Sequence, residues 1–466
     1  MYKIIKKIFF LLLVFIFFFT TLTCKRSPIE PNGSEMLWLE FEDASCTEAW
    51  FNLRLNNLPK PVRVDVYREN YLTKSFTISA TNDTLFYIEN LLPKQKYDVY
   101  VKVRGSDGKE YKSAKVNFET MDTTSHEFSW QIFEFGEKGN SVLYDVAIID
   151  ENNIWAVGEI YTKDTYTYDS LGNWIQPYNA VHWDGTKWEL KRIYFPTVCG
   201  GTSISSYPAK AIFAFNDRQI WISSSGDKIA ILKDGIQVSK FCLPSNVSMS
   251  INKLWGSSSN DLYAVGNKGN IAHWDGRKWT KIESGTTLFL SDIWGVSSHE
   301  LYATGNSRAF VRGVVLKGNG QTWQTMIVSE SDDTTGLFRT RLYGAMEGLW
   351  VDERGTLYTV GNFMFQHKHG RWDFMHSLPG NYFGGNPNYL HRGYLHDVHG
   401  NSSNDMFICG QINTLRHFNG VSWAEVGIPY YPLKYGLFWY RVAVKGNTAV
   451  AVGSNLSRGV VIRLWR

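Results

Sequence analysis

The stretch from Ile251 to Glu283, INKLWGSSSNDLYAVGNKGNIAHWDGRKWTKIE, decides the fold. It contains four short runs with β-type patterning, each bounded by turn residues. Ile251–Gly256 leads into the turn-forming Ser257–Asp261, and Leu262–Gly266 is closed by Asn267–Gly269. Asn270–Trp274 runs into Asp275–Gly276, a strong hairpin signal, and Lys278–Glu283 completes the unit.

Four antiparallel strands in so short a stretch make one blade of a β-propeller. Copies recur in register on both sides. Before it come Asp145–Val146, Ile154–Gly158, His182–Gly185 and Trp188, then a more worn copy with Ile212, Ile220–Ile222 and Asp234–Gly235. After it come Ile293–Gly295, Leu301–Gly305 and Trp323; Leu349–Trp350, Leu357–Gly361, Gly370 and Trp372; and Val398–Gly400, Met406–Gly410, Asn419–Gly420 and Trp423. The last copy, Val442, Val450–Gly453 and Val460–Leu464, ends without a fourth strand. Ser129–Phe135 (SWQIFEF) matches fourth-strand text such as Thr322–Ile327 (TWQTMI). The expectation is an all-β chain in which 129–466 forms a seven-bladed propeller closed by strands from both ends, which would remove exposed edges.

The chain has 466 residues, too long for one ordinary domain. Its net charge is +4 with no basic tract, which argues against nucleic acid as a partner. At the N-terminus, Lys3, Lys6 and Lys7 precede the apolar run Ile8–Thr23, and Cys24 follows at once. The run is short for a membrane span and reads as a signal peptide over 1–23. A Cys at that boundary resembles the lipobox of bacterial lipoproteins, although Thr23 stands where a small residue is usual. The resemblance implies lipidation of Cys24, with acyl chains such as palmitate anchoring the protein. Ordinary secretion or a retained anchor is the alternative. Lys25 is not the acidic residue of an inner-membrane retention signal, so the expected address is the outer membrane, on either side. Residues 24–35, rich in Pro, Asn and Gly, read as a tether.

Residues 36–121 read as a separate all-β domain. Phe51, Leu53 and Leu55 share one strand face, as do Val62, Val64 and Val66. The run Leu91-Leu92-Pro93-Lys94-Gln95-Lys96-Tyr97 resembles the tyrosine corner of fibronectin type III domains, which implies a spacer that presents its neighbour. The Arg104-Gly105-Ser106 loop reads as a plain turn. Residues 122–128 are a polar linker. Of the other cysteines, Cys46 and Cys409 lie in strand-like runs, while Cys199 and Cys242 flank the second copy; their spacing leaves a disulfide between them open.

The repeat W-G-S-S-x-N-D-L-Y-A-V-G at Trp255–Gly266 resembles repeats of bacterial exported propeller lipoproteins, which implies fold and location more than function. The D-G-x-x-W turns are similar to the Asp-boxes of sialidase-type propellers, which lie away from the chemistry. Residues that recur at one register serve the fold: His182, His273 and His417, and Trp188, Trp279, Trp323, Trp372 and Trp423. The repeat is broken by long insertions that all emerge on the face where the innermost strands begin. Glu159–Ala180 carries Tyr161, Tyr166, Tyr168 and Trp174; Ser377–Tyr394 carries Tyr389; Pro429–Tyr440 carries Tyr430, Tyr431 and Trp439; Phe195–Pro208 is Gly/Ser-rich. Tyr and Trp suit a binding surface, or else they pack the loops onto the rim. At the same end Asp145, Lys253, Asp292, Asp397 and Arg441 would ring the channel mouth, placed either to bond a polar ligand or to line a solvated pore. A metal site at His391, His396 and His399 would need convergence with carboxylates, and no metal or cofactor is expected. There is no G-x-S-x-G, H-E-x-x-H or P-loop. The reading is therefore a membrane-anchored, non-catalytic binding or scaffold module for a glycan or protein. Its rivals are a carbohydrate-active enzyme with paired carboxylates on the same face and an envelope assembly factor.

Overall fold

The computed structural model describes residues 36–215, 218–329, 344–375, 393–426 and 436–466. The chain forms two compact units, Met1–Thr120 and Met121–Arg466. Regular structure among the described residues is almost wholly β, and no described helix is long and apolar enough to cross a membrane.

In the first unit a three-stranded sheet (Leu37–Ala44, Ala49–Leu55, Asp83–Ile88) shares a core with a five-stranded sheet built on Val62–Arg68 and Lys96–Arg104. The alternating Val62, Val64 and Val66 meet Val99, Val101 and Val103, all fully buried, as period-two patterning requires. The Tyr97 hydroxyl accepts a hydrogen bond from the Leu92 backbone N–H at 2.9 Å.

Among its described residues the second unit holds seven four-stranded antiparallel sheets, besides a two-stranded one. Six are built from consecutive strands. The seventh joins Phe438–Lys445, Thr448–Ser454 and Gly459–Trp465 to Ser129–Phe135, with Ile462 opposite Ile132. The first strand of each sheet packs on the first strand of the next, and Phe438–Lys445 packs back on Val142–Asp150. The arrangement is a β-propeller.

Its repeat has a physical basis at each recurring letter. The His on the third strand bonds the residue that opens the second. His182 Nε2 lies 3.0 Å from Asn153 Oδ1, His273 2.7 Å from Asp261 and His417 2.9 Å from Asp405. Each ring also lies on an aromatic of the second strand, Trp155, Tyr263 or Phe407. The fourth sheet substitutes an ion pair at the same place, Glu300 with Lys317. In the hairpin turns Asp184, Asp275, Asn319 and Asn419 accept bonds from the backbone N–H groups two and three residues on. Turns of this kind favour Asx residues followed by a glycine free to take positive φ.

One irregularity recurs in all seven four-stranded sheets. Each first strand is bulged against the second at the same register: between Leu143 and Asp145, Ala209 and Ala211, Ile251 and Lys253, Leu290 and Asp292, Met346 and Gly348, Leu395 and Asp397, and Trp439 and Arg441. A bulge re-aims the side chains around it. It also explains the Gly that ends the second strand. A Cβ on Gly266 would lie 2.1 Å from the Ser250 carbonyl oxygen, and one on Gly361 2.0 Å from that of Ala345.

Candidate functional site

The bulges divide the end of the propeller where the first strands begin into two layers. The residues after each bulge turn inward. Asp145 accepts the Lys253 ammonium at 2.7 Å and the Ile212 N–H at 2.9 Å. Asp292 accepts the Leu349 N–H, and Asp397 the Val442 N–H. In all three cases a carboxylate of one sheet is bonded to the backbone of the next. Arg441 closes the layer, 3.2 Å from Asp292 and 3.3 Å from Asp397. All four residues are buried. Burial pushes the Asp397 carboxyl up despite the nearby guanidinium. Asp145, Lys253, Asp292 and Asp397 line one cavity and Arg441 lines another, while making these bonds within the protein. Both oxygens of each carboxylate are already bonded inside the protein. That first cavity, of about 210 Å³, is bordered by Trp294 and His399 as well as by the layer.

The residues at the bulges are Tyr144, Lys210, Asn252, Ser291, Glu347, His396 and Tyr440, and every one is polar or titratable. Sequence reasoning met His396 as a metal candidate and Tyr440 as the end of an insertion but passed over the other five, and for the mouth of five sheets it took the residue one place later. The signal was present in that unbroken run of polar side chains, but only the bulge shows which way they point. Lys210, Asn252, Ser291 and Glu347 line a cavity of about 450 Å³ with Asn306, Arg308 and Arg441. Glu347 accepts the Asn306 amide at 2.6 Å, and desolvation raises its pKa. Lys210 lies over the Tyr144 ring at 4.4 Å. Desolvation and Arg441 depress its pKa.

Aromatic rings continue around this mouth. Phe310 meets Tyr394, Tyr394 meets His396, His396 meets Tyr440, and Tyr440 meets Tyr144. The Tyr144 and Tyr161 hydroxyls both donate to Glu159, at 2.7 and 2.6 Å. Through Tyr161 the series reaches Tyr166, Trp174 and Tyr168.

These last three stand on a built hairpin. Tyr166 N–H donates to the Ile175 carbonyl and Ile175 N–H to that of Thr167, both at 2.9 Å. The Asp169 carboxylate caps the turn on the Leu171 and Asn173 N–H groups. Gln176 bonds Ser206 of the next insertion, and Cys199 and Cys242 form a disulfide within that neighbourhood. Tyr166, Tyr168, Leu171 and Trp174 are 52%, 68%, 84% and 49% exposed.

Other expected positions fall elsewhere. Trp439 is fully buried, with Nε1 donating to Asn413 at 3.1 Å, so it has no ring face to offer; its place at the start of the last sheet's first strand puts it in the core. Tyr161 is held by Glu159 under the hairpin. Cys24, Tyr389, Tyr430, Tyr431 and His391 lie outside the described residues. His396 sits at the mouth and His399 in the channel, so these two do not converge. Among the described residues the one group with metal-type spacing is Cys199, Asp227 and Cys242, whose two sulfurs are joined.

No family model matches this chain, and no curated protein matches it. Solved structures similar to it are propellers. YCF48 bound to D1 peptide is 14% identical with a TM-score of 0.49, over 72% of this chain and 97% of that one. YCF48 from Cyanidioschyzon merolae is 12% identical at 0.47, over 72% and 98%. The WD40 propeller domain of Doa1 is 11% identical at 0.46, over 72% and 97%.

Proposed function

We propose that this chain is an exported, lipid-anchored, non-catalytic module that binds a protein partner on the face carrying the Tyr166–Trp174 hairpin. The observation that carries the reading is that hairpin. It sets an exposed Leu171 among three exposed aromatic rings on a turn fixed by its own hydrogen bonds. Exposed apolar clusters of this kind mark interaction sites, and Tyr and Trp are the residues that dominate protein interfaces. The rings stand at 37° and 66° to one another. That uneven surface favours a protein over a glycan, which stacks on a flat, open ring face. The enzymatic reading required a free carboxylate pair at Asp145, Asp292 and Asp397, and their oxygens are committed to Lys253, Arg441 and backbone N–H groups.

The rest of the proposal has separate supports. Pairing of Ser129–Phe135 with Gly459–Trp465 supports a seven-bladed ring closed from both ends. The Tyr97–Leu92 bond supports a fibronectin type III-like spacer. A disulfide suits an oxidising compartment. The order of Lys3, Lys6 and Lys7, the apolar run Ile8–Thr23 and then Cys24 supports lipidation at Cys24 and an outer-membrane address.

A photo-crosslinking residue substituted for Leu171, in cells making the full chain, tests the binding face. A discrete protein adduct that disappears with Trp174→Ala is expected. A polysaccharide adduct, or none, sinks the protein-partner reading. Metabolic labelling with a palmitate analogue, lost in Cys24→Ser, tests the anchor.

A further inference from the structure

We propose that the mouth cavity holds a carboxylate of the bound polypeptide, with Lys210 and Arg308 as its counter-ions. This rests on the binding reading above but on a different set of residues.

Four cations lie at or just beneath the mouth, and they divide into two pairs. Lys253 and Arg441 have carboxylates within 2.7–3.3 Å. Lys210 and Arg308 have no such partner among the described residues. Each instead lies over an aromatic ring, Lys210 over Tyr144 at 4.4 Å and Arg308 over Phe289 at 5.1 Å. Both line the same 450 Å³ cavity. Burial disfavours the charged form of Lys210, and Glu347, Asp145 and Glu159 favour it only from beyond ion-pair distance; a buried cation without a close anion is costly, while Arg308 is exposed. An entering anion would relieve that cost.

The cavity's own carboxyl, Glu347, does not play this part. It is held by Asn306 at 2.6 Å and approached by the Tyr394 hydroxyl at 3.4 Å, and desolvation draws it toward the neutral form. Of the bonded layer, Arg441 lines this cavity, and its guanidinium is already engaged by Asp292 and Asp397. A ring on either side and a flat guanidinium suit a planar carboxylate, which Arg can meet with two parallel bonds. The chain of rings from Tyr144 through Tyr161 to Trp174 places this cavity on the same face as the exposed hairpin.

The test is calorimetric titration of the full chain in detergent with small probes: acetyl-Ala-Ala acid, acetyl-Ala-Ala amide, acetyl-glutamate amide, glucuronate and inorganic phosphate. The acid should bind at least about tenfold more tightly than its amide, as loss of charge-assisted bonds implies. Lys210→Met and Arg308→Gln should each abolish that preference, and Lys210→Arg should keep it. Arg308 lies on an exposed turn, so its variant folds even if Lys210→Met does not. Tighter binding of the terminal acid or of acetyl-glutamate amide identifies the carboxylate as a chain end or a side chain. Equal binding of acid and amide, or preference for phosphate or glucuronate, overturns the proposal. Wild-type behaviour of both charge-removal variants also overturns it. The wild-type mouth and hairpin separate the two readings. If the dipeptide acid binds while the cross-linker at Leu171 in the otherwise wild-type chain yields no protein adduct, the cavity stands and the partner reading falls.

Discussion

Two regions on the same face of the propeller look alike in sequence and differ in what they do. The layer of Asp145, Lys253, Asp292, Asp397 and Arg441 and the hairpin of Tyr166, Tyr168, Leu171 and Trp174 are both rich in residues that bind ligands. The charged layer is buried except at the part-buried Lys253, and it is bonded from sheet to sheet. The hairpin is exposed, and the hydrogen bonds that hold it use its backbone and Asp169 rather than its rings. A residue at a repeated position is constrained by its neighbours in the ring. A residue in an insertion owes the ring nothing, so its side chain is free for an outside partner.

The sharpest way to break this contrast is to remove a member of the charged layer. Arg441→Met leaves Asp292 and Asp397 buried without their cation. Breaking such a group costs about 3–5 kcal/mol, measured by urea denaturation. If the variant is as stable as wild type, the layer is not a structural staple. Because burial raises the Asp397 pKa, lowering the pH lets the stranded carboxyl take a proton. Relative to wild type at the same pH, the variant should therefore recover part of its loss on acidification.

The disulfide belongs to the insertion side. It joins Cys199 and Cys242 across 43 residues, and cross-links of this span are worth about 2–4 kcal/mol. A Cys199→Ser and Cys242→Ser double variant should lose that much. It should also open Phe195–Pro208 to proteolysis before the channel strands. Uniform cleavage across both regions would remove the distinction between insertion and ring.

His399 tests the interior by pH. Its Nδ1 accepts the Val444 N–H at 3.0 Å, which demands the neutral ring. Burial, with Lys253 adding to it, lowers its pKa to about 3, against about 6.5 in an unfolded chain. The folded state then binds fewer protons than the unfolded state between those values, so stability should fall as pH drops from about 6.5 toward 3. His399→Gln should be less stable at neutral pH and lose less on acidification. An unchanged acid slope would mean that His399 takes up its proton without unfolding.

Much of this was legible in the sequence, and the gaps have physical causes. The D-G turns and the recurring His were readable because each is a local device: an Asx turn, and a side chain bonded to the adjacent strand of its own sheet. The Gly closing the second strand was readable as a recurring letter but not as a consequence, since its cause is a bulge on the neighbouring strand. That same bulge hid Lys210 and Glu347. Period-two reading assumes an unbroken pleat, and one extra residue moves the inward position by one. Trp439 misled for a related reason, because a loop-edge Trp and the first core residue of a strand share one text. The hairpin aromatics were found by asking where the repeat fails, a question that depends on the insertion and not on the register.

The smallest expected stability effect is on the hairpin. Trp174→Ala and Leu171→Ala remove exposed side chains whose backbone is already held by Tyr166, Ile175 and Asp169. Exposed substitutions away from caps and cores usually stay within about 0.5 kcal/mol. Both variants should therefore denature with wild-type midpoints while the Leu171-centred protein contact is lost. The rings touch one another at 5.0 and 6.0 Å, so some mutual packing is present. Were Trp174→Ala to cost as much as Arg441→Met, the aromatics would be rim packing that holds the insertion down. The two regions would then differ in exposure but not in purpose, and the binding face would have to be sought in the mouth cavity alone.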